Sequence, residues 1–160
     1  MAQGRIYTVV FAAVSVSASQ DFFEITPADD KPIEIVGLSL CQTGVADVGD
    51  TNEECLRFNI IRGHTTSGSG GSAPTPVPTN PNSAAAGFTA EVNNTTIASS
   101  GTTTTLHEDS FNVRAGYINW WPEGCGPAAS QANTTIVVRL PSSPADAITL
   151  SGTLYVRELV

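Results

Sequence analysis

The sequence predicts an all-β chain: an antiparallel β-sandwich, jelly-roll-like, carrying one long Gly/Pro-rich loop or arm. Three observations predict it. Val, Ile, Thr and aromatic residues favour strands and fill the apolar segments, while good helix formers other than Ala are scarce. About seven or eight apolar runs alternate with turn residues. Charged residues make up only 14% of the 160, and Thr, Ser, Ala, Gly, Val and Asn take their place.

The elements follow in order. Ile6 to Val16 is strongly β-branched and reads as a long first strand, the heart of a sheet. Its apolar run is too short and too Val-rich, with Ser15 and Ser17 interrupting it, to read as a signal peptide. Asp21 to Thr26 is a second strand, stopped by Pro27, Asp29-Asp30 and Pro32. Ile33 to Cys41 alternates apolar with small or polar residues, as a half-buried strand does. Residues 42–54 form an acidic loop. Cys55 to Arg62 then sets Leu56, Phe58 and Ile60 on one face and Arg57, Asn59 and Ile61 on the other.

Gly63 to Asn82 follows, with four Gly, four Pro and no acidic residue. Each half of the chain alone is too small to bury a stable sheet core, so one domain with a long excursion is expected rather than two. Thr75-Pro76-Val77-Pro78 lacks alternate N–H donors and favours an extended path. That makes residues 63–82 an arm suited to lie along a neighbouring subunit, through Pro74, Thr75, Pro76, Val77 and Pro78; a plain surface loop is the alternative. Beyond it the pattern weakens, with one helical turn expected near Ala84 to Ala86 and a strand near Thr102 to Leu106. Phe111 to Trp120, Thr134 to Leu140 and Ile148 to Arg157 read as the remaining strands.

Net charge is −8. One Lys and six Arg are scattered, with no basic patch, which argues against nucleic acid as a partner. No segment approaches the ~18 apolar residues of a membrane span, so no membrane partner is expected and folding in the cytoplasm is. Cys41 and Cys55 bracket the acidic loop. A disulfide between them is possible if their strands are antiparallel neighbours, but an odd number of Cys without a secretion signal favours free thiols. Cys125 in "EGCGP" matches no nucleophile motif. His64 and His107 are the only histidines, which leaves little material for acid–base or Ser–His–Asp chemistry. Asp47, Asp50, Glu53 and Glu54 could hold calcium, but their spacing is not that of an EF-hand, and a solvated acidic hairpin is the simpler reading. No catalytic residue, metal or cofactor is therefore expected. Asn93, Asn94 and Asn133 head glycosylation sequons and read as polar, exposed turns. Trp120 and Trp121 are adjacent, so one can enter the core while the other meets solvent or a neighbour; Trp121 is taken as the contact residue.

The segments "RIYTVVFAAVSVSASQDFFEITPADDKPIEIVGL", "RGHTTSGSGGSAPTP", "AAAGFTAEVNNTTIAS" and "ADAITLSGTLYVRE" resemble a group of small virion proteins of tailed phages and prophages. The resemblance covers nearly the whole chain, rests on no short diagnostic motif, and carries over no site residues. It implies a capsid decoration (cement) protein with a β-sandwich body. It would be made in the host cytoplasm and bound to the capsid exterior as a homo-oligomer, a trimer by analogy, with the major capsid protein as partner. A tail-tip or fibre-associated module binding carbohydrate or receptor is the alternative, and a jelly-roll hydrolase a distant third.

Overall fold

A computed structural model describes residues 4–43, 53–130 and 135–159, and every regular element in them is a strand. In chain order these are β1 (Arg5–Val16), β2 (Gln20–Pro27), β3 (Ile33–Gln42), β4 (Cys55–His64), β5 (Val77–Pro78), β6 (Phe88–Asn94), β7 (Thr104–Asn112), β8 (Tyr117–Trp120), β9 (Ala128–Ala129), β10 (Thr135–Leu140) and β11 (Ile148–Glu158). The first sheet runs β5-β1-β11-β3-β8, with β9 also paired to β3; the second runs β6-β2-β10-β4-β7. All pairings between these strands are antiparallel.

The four-strand cores of the two sheets, β1-β11-β3-β8 and β2-β10-β4-β7, carry the strand order of a jelly roll. Successive strands β1 to β4 change sheet each time, and β10 and β11 do so again. Strands from the two ends of the chain therefore sit side by side, and neither half holds a sheet of its own. One core lies between the sheets. Tyr7, Val9 and Phe11 from β1 meet Phe23 and Ile25 from β2, Leu38 and Leu40 from β3, and Phe58 and Ile60 from β4, all buried. Phe11 and Phe23 pack with ring centroids 5.2 Å apart, and Tyr7 meets Phe88 edge-on at 5.5 Å.

Three expectations need correction. No helical turn forms at Ala84–Ala86; Tyr7 donates its hydroxyl to the Ala84 carbonyl at 3.0 Å and holds that segment extended. The run from Phe111 to Trp120 is two strands in different sheets. Asn112 accepts from the Arg114 amide through its side chain (2.9 Å), and Gly116 takes φ +72°, turning the chain from β7 to β8. β6 went unforeseen, because its buried Phe88, Ala90 and Val92 alternate with Thr89 and Glu91 inside an Asn/Thr-rich stretch.

The arm folds onto its own body. Ser72, Ser69 and Thr66 make antiparallel bridges to Val92, Thr96 and Ser99, covering the β6 side of the second sheet. Val77 and Pro78 then pair with Thr8 and Tyr7 on the edge of β1, and the Thr79 amide donates to the Ile6 carbonyl at 2.9 Å. The Pro-rich path is extended, as its composition requires, and it shields two sheet edges that would otherwise present unpaired backbone groups.

Candidate functional site

Strand alternation points odd and even residues to opposite sides of a sheet. On the first sheet the inward set is the core. The outward set is Ile6, Thr8 and Val10 on β1, Ser151, Thr153 and Tyr155 on β11, Ser39 on β3, and Ile118 and Trp120 on β8. Val77 joins them, because it sits directly opposite Thr8. The row of Ile6 continues through Arg157 and Glu34, so that end of the face is charged, and the rest of the set carries no acidic or basic side chain. A single row crosses all five strands as Val77–Thr8–Tyr155–Gly37–Trp120.

Gly37 explains how Trp120 lies. A Cβ at Gly37 would stand 2.6 Å from the Trp120 ring, so the missing side chain is what lets the indole rest on the strand. Tyr155 holds the indole from the side, with centroids 4.5 Å apart. Trp120 is still 55% exposed, Ile118 is 70% exposed, and Val77 and Val10 are more than half exposed. Where a solvated face of an antiparallel sheet is ordinarily polar, this one offers large apolar groups among hydroxyls. At one end of the face Arg157 is buried between Glu34 (3.0 Å) and Glu123 (2.7 Å), so its charge is matched.

The sequence singled out Trp121; the structure reverses the pair. Trp121 packs half-buried against the core and meets His107 edge-on at 5.3 Å, and Trp120 is the outward residue. Adjacency showed that the two would part, but only the side on which β8 joins β3 decides which goes out. Of the arm residues, Pro74, Pro76 and Pro78 are half-buried on the body, and Thr75 and Val77 are exposed. Only Val77 belongs to the outward face described above.

Cys41 and Cys55 are both exposed free thiols, as is Cys125. The condition set for a disulfide, that their strands be antiparallel neighbours, is not met, because β3 and β4 lie in different sheets. Asp47 and Asp50 lie outside the described residues. Glu53 accepts from the Asn112 amide at 2.9 Å, and Glu54 accepts from the Ala145 backbone at 3.0 Å. Among the described residues no three His, Cys, Asp or Glu side chains gather as a metal site. Asn93 and Asn94 are buried rather than in exposed turns, which corrects that expectation; Asn133 lies outside the described residues. Asn93 accepts from Gln20 at 2.9 Å, and Asn94 donates to Glu24 and Glu91 at 3.0 and 2.7 Å.

Two clusters of ionisable groups went unnoticed in the sequence, because their members are far apart along it. On the outside of the second sheet, fully buried Asp21 takes a two-pronged hydrogen bond from Arg139 (2.6 and 3.0 Å) and a third from the Ala98 amide (2.7 Å). Glu24 accepts from the Gly68 amide at 3.0 Å. These contacts hold residues 66–72 and 95–101 against the sheet. Buried His64 lies among them with no good hydrogen bond at either ring nitrogen. Burial first, and then Arg139, lower its pKa below 6.5.

The second cluster joins β7 to β8. His107 Nε2 stands 3.3 Å from the Tyr117 hydroxyl and 3.9 Å from Asp109. Burial, and then Asp109, push Tyr117 up to about 12, which keeps the phenol protonated and is the opposite of nucleophile activation.

No family model matches the chain, and no curated protein matches it. Among solved structures, a chain of T=1 particles derived from infectious bursal virus is 14% identical over 98% of this chain, with a TM-score of 0.17. This chain spans 40% of the length of that one. A likeness so slight carries no argument about fold or function. Among the described residues no helix is long and apolar enough to cross a membrane.

Proposed function

We propose that the protein is a phage virion structural component, a capsid decoration protein that binds the outer head surface and stabilises the lattice through intersubunit contacts. The observation that carries this reading is the outward face of the first sheet. Apart from Arg157 and its carboxylate partners at one end, it carries no acidic or basic group and exposes large apolar side chains on a chain of net charge −8. Such a face suits a repeated protein contact, where weak contacts gain strength by multiplication over a lattice. The buried ion pairs and carboxylate hydrogen bonds described above serve folding, and His107 faces a phenol rather than an activated nucleophile. The jelly-roll order does not choose the function, because capsid and lectin domains both use it.

Quantitative mass spectrometry of purified particles tests the proposal. Copies in a simple whole-number ratio to the major capsid protein support it; absence from the particles overturns it. A second reading, a tail-tip or fibre module binding carbohydrate or receptor, is favoured by one observation, the exposed Trp120 indole beside Tyr155. A few copies per particle, with Trp fluorescence altered by added sugars, would support that reading instead.

A further inference from the structure

We infer that His64 is an acid-operated latch: protonation of its ring releases the paired segments 66–72 and 95–101 from the outside of the second sheet. The latch does not depend on the assembly reading above.

The segments can leave the sheet without unfolding it. They bond to each other first: Thr66 with Ser99, and Ser69 with Thr96, exchange backbone hydrogen bonds of 2.9–3.0 Å. Of their residues only Gly68 and Ala98 are buried, and the others are exposed. Their hold on the sheet is therefore polar. The Gly68 amide donates to Glu24 (3.0 Å), the Ala98 amide donates to Asp21 (2.7 Å), and the Ala98 carbonyl accepts from Arg139 (2.8 Å). At the β6 end Gly71 donates to Asn94 (3.3 Å) and Ser67 to Glu91 (3.5 Å). A unit with so little buried apolar surface opens at low cost. Its neck is pinched between two glycines. Gly63 takes φ +109° and Gly101 φ +82°; a Cβ at Gly63 would strike the Thr102 carbonyl, and one at Gly101 the Gly63 carbonyl.

His64 occupies that neck, at the end of β4 and opposite Thr135. It is 6% exposed, and neither ring nitrogen has a hydrogen-bond partner. Protonation adds a second N–H donor and a full charge where no acceptor is set to receive them. The groups around the ring are already committed. Asp21 on β2 gives both oxygens to Arg139 and the Ala98 amide. Glu24 on β2 stands diagonally across β10, opposite Val137; it gives Oε2 to Gly68 and Asn94, and its Oε1 has no hydrogen bond. Glu91 on β6 lies beyond Glu24. Arg139 on β10 is a like charge. On the same strand Arg62 donates to the Ala128 carbonyl at 2.7 Å. The neighbouring end of β7 holds Thr104 and Thr105, and neither covering segment has a charged residue. Burial and then Arg139 disfavour the charged ring more than Asp21, the Ser100 backbone and Glu24 favour it, so its pKa lies below 6.5 while the segments are closed. Turned out into water, the ring returns to about 6.5. Opening therefore takes up a proton below that pH and becomes more favourable as pH falls.

Residue-resolved hydrogen exchange of the full chain by NMR, at about pH 7.5 and about pH 5.5, provides the test. The probes are the Gly68 and Ala98 amides, which lose Glu24 and Asp21 on release. Their protection factors should fall by at least about threefold between the two conditions, and by no more than about tenfold for one pH unit below 6.5. Val138, buried in β10, should stay far better protected at both, which marks the opening as local. His64→Gln takes up no proton, so the two probes should hold their protection in that variant. The His64 ring signals of the wild type give a second readout that needs no variant. They should titrate below pH 6.5, with the Gly68 and Ala98 amide shifts moving at the same pH. Titration at or above 6.5, an equal fall in His64→Gln, or probes that exchange only as fast as Val138 would overturn the latch. So would protection that rises in acid, the mark of a new His64–Glu24 pair.

Discussion

Gly37 and His64 show two ways in which one residue controls a surface. Adding a methyl group at Gly37 forces the Trp120 ring off β3. Gly37→Ala should cost about 1–3 kcal/mol, as overpacking does, and should shift the Trp emission as the indole moves further into water. An unchanged emission spectrum would mean that the ring does not rest on Gly37. His64 makes stability depend on pH. Its folded pKa is below the ordinary 6.5, so between those two values the unfolded chain binds a proton that the folded chain refuses. Stability contributed by neutral His64 is complete above pH 6.5 and declines as pH falls through that window. His64→Gln should flatten the fall in melting temperature across it. A variant with the wild-type slope would show that His64 is not the source of the pH dependence.

Among the elements, the arm and β1 depend on each other. β5 supplies backbone partners for Tyr7 and Thr8, and Tyr7 in turn fixes Ala84. Deleting Pro74–Pro81 should therefore leave the sandwich folded and speed hydrogen exchange in the outer edge of β1. If particle binding also disappears, Val77 is part of the contact; normal binding would confine the arm to edge protection. The hold of residues 95–101 on the second sheet depends on the Asp21–Arg139 salt bridge. Arg139→Ala leaves Asp21 buried and unpaired, which costs about 3–5 kcal/mol, because a lone buried carboxylate loses water without gaining a cation. Equilibrium urea unfolding would measure it, and a loss below about 1 kcal/mol would show residues 95–101 opening to let water reach Asp21.

For the molecule as a whole, the interleaved topology predicts cooperative unfolding. β1 pairs with β11 and β4 with β10, so neither half can keep its sheet after the other unfolds. Phe58 packs against Phe111 and Tyr117 across both sheets. Phe58→Ala should cost about 3–5 kcal/mol and lower one common transition seen by far-UV and near-UV circular dichroism alike. Two separate transitions would contradict the single core.

The strand-forming segments were legible in the sequence, because β-branched alternation between Pro and Gly stops is a local property. β1, β3, β4 and β11 were found within two residues of their ends for that reason. β6 was not, since its inward residues include Ala90 and it ends in Asn93-Asn94, which read as a turn. The burial of Asn93 and Asn94 and the choice of Trp120 over Trp121 turn on which strands are neighbours. So do the Asp21–Arg139 pair and the row from Val77 to Trp120, whose members lie far apart along the chain. By itself the sequence determined an all-β chain of low charge with a Pro-stiffened arm, since composition and period-two patterning are written residue by residue. The tertiary structure alone decided where the arm lies and which face gathers the exposed apolar side chains, because strand pairing between distant segments sets what each side chain meets.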